Sequence, residues 1–389
     1  MQHEVYLDSA ATTQVFPEVA AQVHEVLTRA YGNPSSLHRK GLEAERLVRQ
    51  AREVIARALG AQPGEVVFTS GGTEGNNLAI KGAARARARR GKHLITTQIE
   101  HESVLAAFRD LEEEGFRVTW VPPGPDGLID PESIAGAVTD ETILISVMAV
   151  NNEVGSVQPL AEIVRAVRRR APEVLVHADA VQAFLKVPLQ PQRMGIDLLT
   201  ISGHKFHAPK GVGALYVRRG VHIKPLLGGG GQEGGLRSGT ENVAGIVGMG
   251  VAAARLAAEG EAYRSHLAAL RAQFLEGLAA TVPDVCVNSP APPQGAGHIV
   301  NISFPGVRGE VLLHELAAHG VYVSTGSACS SRRRGESHVL AAMGVSRDRL
   351  ESSIRVSFSA LTTAEEIRRA VQAFGAAVQR LRAAVGARR

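Results

Sequence analysis

The sequence predicts an α/β protein in which a large, mostly parallel sheet lies between layers of helices and a smaller α+β domain follows. Strand-like apolar runs alternate with helical patterns from about residue 15 to residue 251, which is typical of a parallel sheet covered on both faces. The chain of 389 residues is long enough for two domains. Hydrophobic residues make up 44% and charged residues 21% of it, as in ordinary soluble globular proteins.

The elements follow one another in a clear order along the chain. Seven apolar runs are interpreted as strands of the large sheet: 66–69, 93–97, 118–121, 142–147, 174–177, 198–201 and 214–217. An alanine-rich stretch at 242–267 predicts one or two helices that lead out of this domain. The remainder predicts strands at 298–304, 322–324 and 354–357 and helices at 310–319 and 363–381. We therefore expect a large domain over residues 15–252 and a small one over residues 253–389.

A lysine closes one of these buried strands, in the sequence Ser202-Gly203-His204-Lys205. A lysine there lies at the rim of the sheet, where α/β proteins bind their ligands. Desolvation and a neighbouring cation can lower the pKa of such an amine until it becomes a nucleophile. It can then attach to an aldehyde cofactor, of which pyridoxal 5'-phosphate (PLP) is the common one. A lone lysine at a strand end is more often a surface ion-pair partner, so the residues around it must decide.

Two further features point to the same cofactor. Asp179 ends another apolar run, and PLP needs a carboxylate beside its pyridine nitrogen. Asp179 and Lys205 lie 26 residues apart, which is enough for a crossover to a neighbouring parallel strand. The run at 66–70 is followed by Gly71-Gly72-Thr73 and then a helical pattern, an order that directs backbone N–H groups at an anion. The sequence thus predicts a PLP site at the carboxyl edge of the large sheet.

Together these residues resemble the class V group of fold-type I PLP enzymes, and within it the long-loop subgroup of the cysteine desulfurases. The resemblance runs along nearly the whole chain. Its motifs are VYLDSAATT at 5–13, YGNPSS at 31–36, GGTE at 71–74, EH at 100–101, NNEVG at 151–155, HADAVQ at 177–182, SGHK at 202–205, RSGT at 237–240, SAC at 327–329 and SIR at 353–355. So many matches in the same order identify the family far better than any single motif does.

The resemblance implies an aminotransferase-like fold with a large PLP-binding domain, and it implies that residues 1–14 pack on the small domain. It also implies a PLP-dependent conversion of L-cysteine to L-alanine, with transfer of the sulfur to Cys329 as a persulfide. The expected partners are a second copy of the chain, in a homodimer, and a sulfur-acceptor protein such as an iron–sulfur scaffold. Which acceptor is served stays open.

The resemblance assigns a role to each matching residue of the cofactor site. Lys205 carries the cofactor and moves protons, and His101 stacks on its ring. The remaining cofactor contacts are Gly72, Thr73, Ser202 and His204 at the phosphate, Asp179 at the ring nitrogen, Asn152 and Gln182 at the phenolic oxygen, and Thr240 at the phosphate of the other subunit. Arg355 holds the α-carboxylate of the substrate, with Asn152 and Asn33 as further substrate contacts.

Cys329 distinguishes between possible reactions of this family. It lies in a segment of small residues without apolar periodicity, which predicts an exposed loop. Arg332, Arg333 and Arg334 follow it, and nearby positive charge favours the nucleophilic thiolate. The composition of this stretch after Cys329 departs from the usual pattern of the long-loop subgroup, which leaves the choice of acceptor open. The second cysteine, Cys286, is interpreted as a small apolar filler of a strand.

Other features bear on setting and on alternative functions. Two cysteines and a start without an export signal predict a cytoplasmic protein, and we expect no membrane span. The arginine runs at 85–90 and 168–170 fall at expected helix ends without interleaved aromatic residues, so we interpret them as solvated faces and expect no direct nucleic-acid binding. His101-Glu102 and His177-Ala178-Asp179 lack the spacing of zinc ligands, so no metal is expected. A class V aminotransferase, a selenocysteine lyase and a non-enzymatic assembly scaffold stay open as alternatives.

Overall fold

The structure is a computed structural model, and it describes residues 4–326 and 337–386. Its strands are β1 (Val5–Tyr6), β2 (Val66–Thr69), β3 (His93–Thr97), β4 (Arg117–Val121), β5 (Thr142–Ser146), β6 (Leu175–Asp179), β7 (Leu198–Ser202), β8 (Gly213–Val217), β9 (Cys286–Val287), β10 (Ile299–Ser303), β11 (Val321–Tyr322) and β12 (Ser353–Ser357). Its helices are α1 (Pro17–Thr28), α2 (Arg39–Leu59), α3 (Gly72–Arg87), α4 (Glu102–Glu113), α5 (Pro131–Gly136), α6 (Leu160–Arg170), α7 (Pro191–Met194), α8 (Val243–Thr281), α9 (Gly309–Ala318), α10 (His338–Ala342), α11 (Arg347–Glu351) and α12 (Ala364–Gly386).

The seven predicted strands of the large sheet are confirmed, and all belong to one sheet in the order β2-β8-β7-β6-β5-β3-β4. The strands from β7 to β4 pair in parallel, whereas β8 runs antiparallel to both β2 and β7. In this arrangement β6 and β7 are neighbours, with Asp179 opposite Thr200. The carboxyl ends of the parallel strands therefore meet at one edge of the sheet, as the sequence predicts.

Both faces of this sheet are buried, which explains why its strands are apolar without polar alternation. Successive residues of a strand point to opposite faces, and here they enter two separate apolar clusters. Leu94 and Leu144 lie in the cluster on one face, while the residues that follow them, Ile95 and Ile145, lie in the cluster on the other. Parallel sheets covered by crossover helices on both sides have this character.

Helix α8 is longer than the sequence predicts. It continues to Thr281 through a break at Gly260, whose φ is 48°. By length and composition alone it is apolar enough to span a membrane. More than half of its most apolar window, 56%, is buried, and the helix packs against α1, α2 and α12. These contacts are those of a core helix.

The other five strands of the described chain form two small sheets. Antiparallel strands form one in the order β12-β10-β9, and β1 pairs in parallel with β11 to form the other. Phe274 of α8 packs edge-on against Phe358 and Phe374, with ring centroids 5.9 and 5.6 Å away. This aromatic core joins α8 to the chain that follows β12. The residue bounds given above for the two domains stay a prediction.

Candidate active site

A cavity of about 270 Å³ opens at the carboxyl edge of the seven-stranded sheet. Asp179 is the last residue of β6 and Ser202 the last of β7, so two adjacent parallel strands deliver both side chains to it. The predicted site residues that line the cavity are Gly72, Thr73, His101, Asn152, Asp179, Gln182, Ser202, His204, Lys205 and Arg355. The fold therefore brings together residues that are almost 300 positions apart in the sequence.

The start of α3 forms one end of the cavity. Gly71 precedes this helix with a φ of 151°, a conformation that favours glycine. A Cβ on Gly72 would lie 2.8 Å from Val181 Cγ2, so the backbone approaches its neighbour too closely for any side chain. The first N–H groups of the 16-residue helix, with Thr73, make this end suited to an anion.

His204 lies at the same end, next to Lys205. Burial, with the nearby Lys205 charge, lowers the pKa of His204 to about 3. Its imidazole is therefore neutral at physiological pH, and its Nδ1 lies 3.2 Å from Thr12 Oγ1. A neutral ring offers hydrogen bonds to an anion without adding a second buried cation beside the lysine.

Asp179 is held in the cavity by two hydrogen bonds. The Asn76 amide donates to Asp179 Oδ2 at 2.7 Å, and the Val181 backbone N–H donates to Oδ1 at 2.9 Å. Asn76 is fully buried and also reaches Ser103 Oγ at 2.9 Å. Asn76 lies one turn after Gly72 on the buried face of α3. A polar residue at this apolar-face position is the sequence signal by which it could have been found.

His101 is connected to this group through Ser103. It is the N-cap residue of α4, where its Nδ1 accepts from the Ser103 backbone N–H at 3.1 Å and lies 2.8 Å from Ser103 Oγ. The ring is therefore oriented by the helix that follows it. A chain of hydrogen bonds links His101, Ser103, Asn76 and Asp179, and sequence reasoning identified only the two end members.

Lys205 lies in the 3-10 turn Gly203–Lys205 that follows β7. Its Nζ donates to the backbone carbonyls of Ala10 and Ala11, at 2.6 and 2.7 Å. The Gln182 amide donates to the same Ala10 carbonyl at 2.9 Å. The N-terminal segment thus fixes two of the predicted cofactor residues through its backbone, which no side-chain pattern could reveal.

Arg355 reaches the cavity from β12, in the middle of a strand rather than at its end. Its guanidinium donates to the Asn152 backbone carbonyl and to Asp8 Oδ1, each at 2.8 Å. The side chain is only 4% exposed, so the ion pair with Asp8 compensates a charge that water cannot reach. Asp8 is a further site residue that sequence reasoning missed.

Two of the predicted residues that the structure describes do not line this cavity. Asn33 and Thr240 line a different cavity, also of about 270 Å³, together with Tyr31 and Leu27. The two cavities have no lining residue in common among those the structure describes. Cys329 lies outside the described residues. Gly326, the last residue described before it, lines the first cavity.

The residues of the first cavity fit PLP. A carboxylate, an amine and an anion cradle stand around one space, as the ring nitrogen, the aldehyde and the phosphate of this group require. The amide of Gln182 adds a specific sign, because its Oε1 is buried and has no hydrogen-bond partner among the described residues. A buried acceptor of this kind costs free energy unless a bound group satisfies it.

Comparison with known proteins agrees with this geometry. The sequence profile of the family described as "Aminotransferase class-V" matches residues 5–370. A "Cysteine desulfurase IscS" of Dictyoglomus turgidum is 43% identical over 382 residues, which cover 98% of this chain and 96% of that protein. Another of the same description, from Methanosarcina thermophila, is 44% identical over 378 residues, 97% of this chain and 93% of that protein.

Two solved structures extend the comparison to three dimensions. One described as "NifS-like protein" has a TM-score of 0.91 and 38% identity, and the alignment covers 97% of this chain and all of that one (100%). A second, described as "SspA in complex with cysteine", has a TM-score of 0.82 and 36% identity, with coverage of 93% and 100%.

Proposed function

This chain belongs to the class-V aminotransferase family and within it to the PLP-dependent cysteine desulfurases, and from that premise we propose that it converts L-cysteine to L-alanine and passes the sulfur to an acceptor. The observation that carries the proposal is the single cavity lined by Lys205, Asp179 and the start of α3. Those three features provide for the aldehyde, the ring nitrogen and the phosphate of PLP, respectively.

The cofactor would be held by two groups of residues that line the cavity. Thr73, Ser202 and His204 would bind the phosphate with the first N–H groups of α3, and Asp179 would pair with the ring nitrogen. When bound, PLP withdraws electrons from the substrate carbon atoms so that a bond to the sulfur can break. Asn76 and Val181 both donate to Asp179 and orient its carboxylate.

Lys205 would supply the amine and move the proton at the substrate Cα. Its position between the Ala10 and Ala11 carbonyls places Nζ inside the cavity and fixes its direction. The amine must lose a proton before it can act as a nucleophile or a base. Neutral His204 beside it avoids a further repulsive charge at the phosphate end.

Arg355 would bind the α-carboxylate of L-cysteine. A guanidinium grips a carboxylate with two parallel hydrogen bonds, and here the group is already oriented by Asp8 and the Asn152 carbonyl. Its Nε is buried and has no partner among the described residues, which leaves a donor for the substrate. The substrate would then lie with its side chain toward Gly326 and the segment that carries Cys329.

Cys329 would accept the sulfur. Its thiolate attacks the sulfur of the bound cysteine, an S–S bond forms, the Cβ–S bond breaks, and a proton takes the place of sulfur on Cβ. The products are L-alanine and a Cys329 persulfide, so atoms and electrons balance without an external oxidant. The persulfide would pass to an acceptor protein such as an iron–sulfur scaffold, in a cytoplasmic setting.

A homodimer would explain the second cavity. Asn33 and Thr240 match cofactor and substrate contacts of the family, yet they line a cavity apart from Lys205. Tyr31 and Leu27 beside them are 70% and 64% exposed, an apolar surface that a partner subunit would cover. We propose that this region completes the active site of the other subunit, by a contact in which both subunits use the same surface.

Mixing two variants tests the dimer. Lys205→Ala and Thr240→Ala chains are unfolded together and refolded, and the alanine produced is compared with that of each variant alone. A mixed dimer contains one site with both native residues, so the mixture should exceed the sum of the separate variants. Activity equal to that sum, together with a monomeric mass in light scattering, contradicts the shared site.

The reaction itself is tested with purified protein and L-cysteine, with and without a reductant. Alanine and sulfide should appear in equal amounts, and without reductant the persulfide should be found on Cys329 by mass spectrometry. Cys329→Ser should keep the cofactor absorbance and lose both products. If turnover needs a keto acid, the protein is an aminotransferase. A strong preference for selenocysteine over cysteine would indicate a selenocysteine lyase. The lack of a bound chromophore would indicate an assembly scaffold.

A further inference from the structure

One buried carboxylate bonds to one described flank of the segment that carries Cys329 and lies close to the other. Gly326 is the last described residue before the segment and Ser337 the first after it. Ser337 Oγ donates to Glu153 Oε2 at 2.5 Å. A Cβ built on Gly326 would lie 3.2 Å from that same oxygen. Glu153 itself is only 3% exposed, so its carboxylate lies between the bonded Ser337 and the nearby Gly326 inside the protein.

Glu153 is fixed on the turn that also positions the substrate site. The Asn151 side-chain oxygen accepts from the backbone N–H groups of Glu153 and Val154, at 2.8 and 2.9 Å. The residue between them in sequence, Asn152, accepts from Arg355 through its backbone carbonyl. A short turn therefore connects the proposed carboxylate-binding arginine to the carboxylate that meets Gly326 and Ser337.

The second flank has another tie to the active site. His338 Nε2 lies 3.0 Å from the backbone carbonyl of Glu100, the residue before His101. Ser337 also caps α10, because its Oγ accepts from the Leu340 N–H at 3.1 Å. The start of α10 is thereby held against the two turns that carry Asn152 and His101.

Gly326 has two reasons to be glycine. Its φ is 87°, which other residues adopt only at a cost, and any Cβ would press on the Glu153 carboxylate. The buried Asn301 amide lies on the other side, 3.7 Å from the built Cβ, and its Nδ2 has no partner among the described residues. Asn301 is paired in register with Arg355 across β10 and β12. Close packing at Gly326 thus continues directly into the substrate site.

We propose that Glu153 is a positioning residue that keeps Gly326 and Ser337 at the positions that sulfur transfer to Cys329 requires. The proposal rests on the desulfurase function proposed above. Glu153 touches the flanks and not the reacting atoms, so it acts on the transfer step through the placement of the chain. Arg355 bonds to Asp8 and Asn152, and Asp179 bonds to Asn76 and Val181, so loss of the Ser337 contact should leave these groups able to bind substrate and cofactor.

The test uses Glu153→Ala and Glu153→Gln in the full chain with cofactor, both in a Cys286→Ser background. Cys329 is then the only thiol, since the chain has two cysteines. Single-turnover persulfide formation should fall about tenfold or more in Glu153→Ala, because a misplacement of about 1 Å can cost about 10²-fold. The affinity for L-cysteine, measured by cofactor absorbance, should change by less than about twofold. Glu153→Gln keeps an oxygen acceptor for Ser337 and should recover most of the rate.

Two further variants keep the proposal testable if Glu153→Ala fails to fold. Ser337→Ala removes the same hydrogen bond from the other side and should also slow persulfide formation. Ser352→Ala is the matched control, because Ser352 is equally buried and bonds only to backbone carbonyls of the α11 turn. It should leave the persulfide rate unchanged. An unchanged rate in Ser337→Ala, or an equal loss in Ser352→Ala, overturns the proposal.

A readout without turnover separates this proposal from the proposed function. The rate at which iodoacetamide alkylates Cys329 is measured in the cofactor-free chain. It should change by more than about threefold in Glu153→Ala and stay near the parent value in Glu153→Gln and Ser352→Ala. A parent chain that forms no alanine defeats the desulfurase function. Identical alkylation rates in all variants defeat the role of Glu153.

Discussion

The two sides of the active-site cavity are built by different means. On the cofactor side, Asp179 and Ser202 end adjacent parallel strands, and Lys205 follows in the next turn. On the substrate side, Arg355 lies within a strand of the small sheet and is fixed by Asn152 and Asp8, which are 203 and 347 residues away in sequence. Asp179 and Ser202 are placed by the topology of one sheet, whereas Arg355 depends on contacts between distant segments, as does the Lys205 amine through Ala10 and Ala11.

This difference teaches where single substitutions should be most disruptive. A residue at the end of a strand is placed by the whole sheet, so its removal deletes a chemical group and leaves the surroundings in place. A buried guanidinium is placed by its own partners, so its replacement leaves Asp8 without a counter-charge as well. Substitutions on the two sides should therefore differ in their effects on chemistry, binding and stability.

The largest effect should follow Lys205→Ala on the cofactor side. We expect turnover to fall by about 10³-fold or more, because in the proposed mechanism this one side chain supplies both the amine and the proton transfer. The melting temperature should change little. Alanine production and thermal unfolding are the measurements, with Lys210→Ala, an exposed neighbour, as the control. A variant that keeps a tenth of the activity would contradict the assignment of Lys205.

Arg355→Lys should have the next largest effect and should differ in kind. We expect kcat/KM for L-cysteine to fall about 10²-fold, as for lost charged hydrogen bonds of about 1.5–3 kcal/mol. Most of this loss should come from a higher KM. The melting temperature should also fall, because Asp8 loses part of its ion pair. Arg368→Lys, in an exposed pair with Glu365, is the control. A loss confined to kcat would place Arg355 outside substrate binding.

Asn76→Ala should sharpen the comparison by weakening the cofactor side without deleting a catalytic group. The Asp179 carboxylate would lose one of its two donors and keep the Val181 N–H. We expect about a tenfold loss of cofactor affinity, from about 1.5 kcal/mol for a hydrogen bond to a charged group. Titration of the cofactor-free chain with PLP measures it. Unchanged affinity would mean that Asp179 is positioned by the strand end alone.

The smallest effect concerns pH and the fully buried Glu100. Burial, with the nearby Asp179 charge, raises the pKa of Glu100 from 4.5 to about 8. Between these values the folded chain binds one proton more than the unfolded chain, so this carboxyl's contribution to stability falls as pH rises. The melting temperature of Glu100→Gln relative to the parent should therefore increase from pH 5 to pH 8. A constant difference would show that Glu100 does not titrate on folding.

Several strand-end residues could be predicted because the signals are local. Alternation between two buried faces makes the strands of the large sheet apolar, and a polar residue at the end of each run marks the edge. Asp179, Ser202 and Lys205 follow from that pattern. The turn before α3 can also be recognised in the sequence by its two glycines, because its conformation and its close approach to Val181 require glycine.

The tertiary structure alone decided how the remaining residues are used. The Ala10 and Ala11 carbonyls hold Lys205, and Asp8 pairs with Arg355, although the motif at 5–13 assigned none of them a role. It also separated Asn33 from the cavity to which its motif pointed and placed it beside Thr240, which is expected at the other subunit's phosphate. Backbone acceptors and ion pairs over hundreds of residues have no period or spacing in the sequence. They exist only once the seven-stranded sheet, the sheet that contains β12 and the N-terminal segment have packed together, because each contact needs groups from separate parts of the chain.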